Sequence, residues 1–184
     1  MYTQTHNIAR LLDEKDDWRK SDFVFFWKTF NESVNKQVFS QWYMRDFVVD
    51  GTTYNCAEQF MMAEKARIFK CDDVRDRIIR ETNPAKIKRL GREVRNFSDS
   101  VWKKHRFDVV VRGNIAKFSQ NEDLKEFLLA TGDKVLVEAS PMDRIWGIGM
   151  DEKAYNVAQP DEWQGKNLLG FALMEVRDIL KREQ

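Results

Sequence analysis

Apolar residues along this chain follow two rhythms, one suited to short buried strands and one to helices. "DFVFFW" (22–27) is a continuous apolar run, the pattern of a buried strand. "NESVNKQ" (31–37) breaks it, and "VFSQWYM" (38–44) follows. In "FVVDGTTY" (47–54), Asp50-Gly51 stands between β-branched residues. That predicts a two-residue hairpin, because the tight turn needs two residues that accept positive φ. "KVLVEAS" (134–140) predicts a further strand.

The intervening chain is helical. Asn55 is placed to cap a helix over "AEQFMMAEKARIF" (57–69), with Glu58 completing a variant of the capping box. A second helix is predicted from Asp73 to Thr82. Asn83-Pro84, read as cap and first helical residue, opens a third through about Arg95. Ser98 or Asp99 starts a longer one, in which Trp102, Val109 and Ala116 recur every seventh residue. Another runs from Asn121 to Thr131, stopped by Gly132. "NLLGFALMEVRDILKRE" (167–183) reads as an amphipathic helix. The glycine- and proline-punctuated stretch 141–166 is a loop, and its tryptophans argue that it is ordered. Residues 1–21, polar and mixed in charge, form an arm or a short helix of unknown role. The expectation is an α+β fold, helix-dominated, with one domain over 22–184 and a small β-sheet contributed by two chain regions.

The helix at 57–69 carries an anomaly. At 100° per residue, Met61, Met62, Ala66, Ile68 and Phe69 share one arc. Glu58 and Lys65, seven residues apart, fall within that arc, whereas Gln59, Glu64, Arg67 and Lys70 take much of the opposite side. In one reading Glu58 serves the helix cap and Lys65 lays its stem along the core. In the other the pair lines a cleft, where apolar walls raise a carboxyl pKa and lower an amine pKa. Those shifts suit a general acid/base and an amine nucleophile. Spacing alone does not choose.

Composition narrows the function classes. The 184 residues are 42% hydrophobic, enough for a sizeable core, and the net charge of +1 gives no bulk support for non-specific nucleic-acid binding. Two cysteines, Cys56 and Cys71, match no metal spacing and read as buried thiols. His6 and His105 stand far apart, so no zinc site is expected. The N-terminus is too charged for a signal peptide, and no apolar run approaches the ~20 residues of a membrane span. A cytoplasmic protein is expected.

Other residues carry candidate chemistry, each with a plainer reading beside it. In "VLVEASPMDRIWGIG" (135–149), a strand delivers Glu138, then Asp143 and Trp146, into a glycine-flexible segment of the kind that bears catalytic groups. Equally, Asp143 caps backbone amides and Trp146 fills the core. Gly147-x-Gly149 lacks the third glycine and the βα context of a dinucleotide fingerprint. "WQGKNLLG" (163–170) ends at a helix N-terminus that either receives a phosphate or is capped by Asn167. "KRLGREVR" (88–95) is a solvated basic turn, or a site where Arg92 grips an anion. Trp102 is core by its spacing, or a platform for a base.

The ordered set "EQFMMAEKARIF", "NPAKIKRLGREVRNF", Trp102, "AKFSQNEDLKEFLLATGDKVLVEASPMDRIWGIG" and "GKNLLGFALMEVR" resembles the YbiA-like, or NADAR, family of N-glycosidases, over roughly Asp22 to Leu180. The resemblance implies cleavage of a bond between ribose C1 and a nitrogen. The implied substrate is a phosphoribosylamino-pyrimidine intermediate of riboflavin synthesis or, alternatively, ADP-ribosylated guanine in DNA or RNA. A catalytically idle module that binds ADP-ribose or an NAD-like ligand is the reading from another class. By resemblance Glu58, Lys65 and Asp143 are catalytic. Trp102, Trp146 and Asn167 match functional positions, and Gly147 and Arg92 join them as substrate-binding candidates. No metal, cofactor, membrane or obligate protein partner is implied.

Overall fold

A computed structural model describes residues 2–15, 17–27 and 34–183. Asn31, Glu32 and Ser33 of the predicted strand break lie outside the described residues, as do Met1 and Asp16 of the N-terminal arm. The chain divides into two compact units, Gln41–Glu122 with Tyr2, and Thr3–Ser40 with Asp123–Gln184. The α+β, helix-dominated reading holds. The small sheet takes the form of two separate two-stranded ribbons.

The first unit opens with the predicted hairpin. β1 (Phe47–Val49) pairs antiparallel with β2 (Thr52–Tyr54). Asp50 and Gly51 both take positive φ, 49° and 76°, as a turn matched to strand twist requires. α1 (Ala57–Ile68) then runs through the middle of the unit, touching β2, α2 (Asp72–Arg80), α3 (Pro84–Leu90) and α4 (Asp99–Ser119).

The two-sided picture of α1 is corrected. Every residue from Ala57 to Glu64 is buried. Gln59, expected on the wet side, is 1% exposed. Its amide donates to the carbonyls of Ile78 and Glu81 at the end of α2 and accepts from the Asn55 N–H at 2.7 Å. Buried Glu64 receives Arg67 (2.8 and 3.0 Å) and Arg112 (3.1 Å). Burial pushes its carboxyl pKa up, but the two guanidinium groups outweigh this and hold it below the ordinary value. Polar side chains tolerate burial once neighbouring elements supply their partners, and helical periodicity contains no record of those elements.

The capping box is also absent. Cys56 occupies the cap position without a side-chain bond. The Glu58 N–H donates to the Gln41 carbonyl at 2.9 Å, so the orphan donor is met by backbone. α3 ends at Leu90 rather than about Arg95. Gly91 packs against α1 so closely that a Cβ there would lie 2.1 Å from Met62 Sδ.

Lys117 in α4 was signalled by nothing in the periodicity, yet it is 0% exposed. Its ammonium lies 5.4 Å from the Tyr43 ring and 5.2 Å from the Phe118 ring. Burial, with a smaller push from Arg45, brings its pKa down to about 7, although Cys56 opposes the fall. In the unfolded chain it titrates near 10.4. Between pH 7 and 9 the unfolded chain therefore binds more protons than the native one, and stability rises with pH, by up to about 1.4 kcal/mol per unit. From about pH 8.5, where an unfolded thiol ionises, the Cys56 thiol, pushed up to about 11 by burial, works in the opposite direction. Urea unfolding at pH 7, 7.5 and 8 should show the rise in wild type and a flat profile in Lys117→Met. Equal slopes in the two proteins would remove Lys117 as the cause.

The second unit centres on a parallel pair of strands from distant chain regions. It joins the early strand (Phe23–Phe26) to the late strand (Val135–Glu138), with Phe23 opposite Val135 and Phe26 opposite Glu138. The last helix, α6 (Leu168–Arg182), follows α5 (Glu122–Leu129) in the chain and packs on the late strand. It is buried through Arg177, whose guanidinium donates to Thr131 Oγ1 and the Lys134 carbonyl. The N-terminal arm contains a short helix, Ile8–Glu14. The arm is tied to the last helix: Glu175 accepts from Thr5 and from the His6 N–H, and His6 lies 2.7 Å from Asp178.

Candidate functional site

The candidate residues fall in both units. In the first, α1 carries Glu58 and Lys65. Glu58 sits in the first turn and is 4% exposed. The positive end of the helix dipole favours negative charge there. Lys65 lies two turns on and is half-buried. Its ammonium donates to the Gly91 carbonyl at 2.7 Å and stands 4.4 Å above the Phe97 ring. Burial lowers the Lys65 pKa below the ordinary lysine value. Arg92 lowers it further, and the nearby Glu58 carboxylate opposes both. Glu58 and Arg92 thus both act electrostatically on Lys65. Arg92 itself is exposed beyond the end of α3. Trp102, in the first turns of α4, is 8% exposed.

In the second unit, Asp143, Trp146, Gly147 and Asn167 gather at the end of the late strand. Asp143 Oδ1 accepts from the Ile145 and Trp146 N–H groups, both at 2.8 Å, so this carboxylate shapes its own turn. Trp146 is half-buried. Gly147 is buried where a Cβ would lie 2.7 Å from the Glu138 carbonyl, so no larger residue fits the path. Asn167 adopts left-handed backbone, φ 50°, and is fully buried. Its Oδ1 accepts from the Glu138 N–H at 3.0 Å and its Nδ2 donates to the Leu136 carbonyl at 2.9 Å. It makes no side-chain cap.

The helix N-terminus, read either as a phosphate receptor or as capped by Asn167, is occupied by backbone instead. The N–H groups of Lys166, Asn167, Leu168 and Leu169 donate to the carbonyls of Arg144, Gly147, Ile145 and Trp146. The glycine–asparagine pattern of "GKNLLG" has a packing cause. Gly170 lets the helix approach until a Cβ would be 2.0 Å from the Leu136 carbonyl, and Asn167 stitches the same strand.

The sequence offered no signal for the Gly91 carbonyl or the Phe97 ring as neighbours of Lys65, because both arrive from 26 or more residues away in the chain. Among the described residues, no three His, Cys, Asp or Glu side chains are grouped to hold a metal ion. Among the same residues, no helix is long and apolar enough to cross a membrane.

Comparison with known proteins extends the geometry. The NADAR domain family matches residues 25–181. An N-glycosidase of Acanthamoeba polyphaga mimivirus is 45% identical over 162 residues, covering 85% of this chain and 95% of that protein. The N-glycosidase YbiA of Escherichia coli K12 is 31% identical over 161 residues, covering 88% of this chain and 90% of that one. The NMR structure of E. coli YbiA superposes with a TM-score of 0.71 at 30% identity, over 88% of this chain and 86% of that chain. A riboflavin biosynthesis protein of Vibrio vulnificus is 33% identical over 149 residues, which span 80% of this chain and 36% of that protein.

Proposed function

The chain belongs to the NADAR family and is an N-glycosidase, and from that premise we propose that it hydrolyses the ribosyl C–N bond of a small phosphoribosylamino-pyrimidine. The observation that carries the catalytic assignment is the pairing of Glu58 and Lys65 on one helix, with the Lys65 amine shifted toward its neutral form. The name of the Vibrio vulnificus relative supports a substrate from riboflavin synthesis. A net charge of +1 supports a small substrate over a nucleic-acid polymer.

Breaking a ribosyl C–N bond builds positive charge at C1 and leaves an electron pair on the departing nitrogen. Glu58 serves this in either of two ways. Its carboxylate stabilises the cation or takes a proton from attacking water, and the departing nitrogen is protonated as it leaves. Lys65 supplies a covalent route. Ring opening leaves C1 doubly bonded to the departing nitrogen. The Lys65 amine adds at C1 and expels that nitrogen, which carries away the proton that Nζ gives up. Water then hydrolyses the lysine–sugar imine, releasing the sugar and restoring the amine.

In the first unit the reading assigns Arg92 to a substrate anion and Trp102 to the flat base, and in the second unit it keeps Trp146 as a base-binding residue. Asp143, Gly147 and Asn167 are assigned to holding the loop that presents Trp146. Purified protein incubated in parallel with a phosphoribosylamino-pyrimidine and with ADP-ribosylated guanine oligonucleotides, followed by mass spectrometry, tests the substrate. Release of ribose 5-phosphate in the first arm is expected. Turnover in the second arm alone would transfer the assignment to ADP-ribosylated guanine, and binding without turnover in either would make the chain a binding module.

Among the described residues, the donor set has no grouping suited to a catalytic divalent ion. Activity should therefore be unchanged by EDTA. A large loss restored by one divalent cation would overturn the metal-independent scheme.

A further inference from the structure

The segment that follows α3 is built as a clasp over one stripe of α1. Met62, Lys65 and Phe69 lie at i, i+3 and i+7 and so share a face of the helix and its end. Gly91 meets Met62 at the distance only a glycine permits. Its carbonyl accepts from Lys65 at 2.7 Å. Asn96 then takes left-handed backbone, φ 55°, a conformation asparagine tolerates better than most residues. This turn brings Phe97 back to the same stripe. The Phe97 ring lies 5.2 Å from Phe69 and 4.4 Å from the Lys65 ammonium.

The clasp is anchored independently of Lys65. Arg95 makes two bonds to Asp73, at 2.6 and 2.9 Å, and its carbonyl accepts from Cys71 Sγ. Arg77 pairs with Glu93 at 2.7 Å. Phe97 is nevertheless 44% exposed. Burial of apolar area is a weak reason for an aromatic ring at such a position, whereas contact with a cation is a specific one.

We propose that Phe97 is a positioning residue which, together with the Gly91 carbonyl, holds the Lys65 amine at a fixed point above α1 for attack on the sugar. The inference rests on the reading of Lys65 as the nucleophile. A free lysine side chain explores many rotamers, and reaction at C1 requires one of them. The carbonyl fixes the nitrogen by a directed bond. The ring face limits where the remaining N–H groups and the lone pair point. The charged groups that face Lys65 are Glu58 on its own helix and Arg92 on the clasp segment.

The ring also has an electrostatic consequence. A π face favours the ammonium over the neutral amine. Its removal lowers the pH at which the amine becomes available, by about half a unit.

The test compares Phe97→Leu and Phe97→Tyr with wild type in pH profiles of kcat, using the phosphoribosylamino-pyrimidine or whichever N-riboside is turned over. Phe97→Leu should lose about 5- to 10-fold in kcat with little change in KM, and its acid limb should move to lower pH by about half a unit. Phe97→Tyr, which keeps the π face, should restore both. Phe97→Met serves as a second non-aromatic variant, and its Lys65 titration can be read by NMR of reductively 13C-methylated protein without turnover. Profiles of Phe97→Leu and Phe97→Met that superimpose on wild type, while Lys65→Ala is inactive, would overturn the positioning role alone. Near-normal turnover in Lys65→Ala would overturn the nucleophile reading beneath it.

Discussion

Glu58→Gln should lower kcat by at least about 100-fold while leaving the fold intact. The substitution keeps the size of a side chain that is 4% exposed, removes its charge and turns one acceptor oxygen into an NH2 donor. The backbone role of this position is untouched, because its N–H bond to the Gln41 carbonyl does not involve the side chain. Exchanging a buried carboxylate for an amide seldom destabilises a protein whose charge serves catalysis, so the melting temperature should hold or rise. An amide neither accepts a proton from water nor neutralises a ribosyl cation. Turnover is measured on the substrate identified by mass spectrometry, and folding by circular dichroism. If Glu58→Gln turns over at nearly the wild-type rate, the residue has no chemical role.

The second large effect is expected at Lys65. Lys65→Ala should lose at least about 100-fold in kcat if the amine attacks C1, comparable to removal of a general acid/base. Borohydride added during turnover should reduce the lysine–sugar imine, and intact mass should then show one sugar adduct on wild type and none on the variant. Lys65→Arg sharpens the result. Arginine keeps the positive charge but does not give up a proton in the accessible pH range, so it cannot form the imine. An active Lys65→Arg would mean that the position supplies charge only. The lowered Lys65 pKa sets the direction of the pH dependence: the neutral amine is available at lower pH than for an ordinary lysine.

Much of the architecture follows from local chemistry. The Asp50-Gly51 turn, the Asn83-Pro84 helix start and the Ser98 cap are where the sequence puts them, because each depends on the backbone preferences of a few adjacent residues. The two strands of the parallel pair were likewise visible as apolar runs. Their pairing with each other, and the separation of the hairpin into its own ribbon, depends on contacts more than 100 residues apart and left no local mark.

The same division runs through the candidate site. By itself the sequence determined the family and named the candidates: a carboxylate and an amine seven residues apart on a helix, in an ordered set of segments specific to one family. It did not determine what surrounds them. Gln59 and Glu64 are as polar as surface residues and as regularly spaced, yet both are buried, because α2 and Arg112 bring hydrogen-bond partners to them. Lys117 lies in a helix read from its apolar spacing and is wholly enclosed. Asn167 looked free to cap or to bind, and its amide is spent on the late strand. Periodicity reports the angle at which a side chain leaves its own helix. Burial, pKa and hydrogen-bond partners are set by atoms that arrive from elsewhere in the chain, so only the tertiary structure decides them.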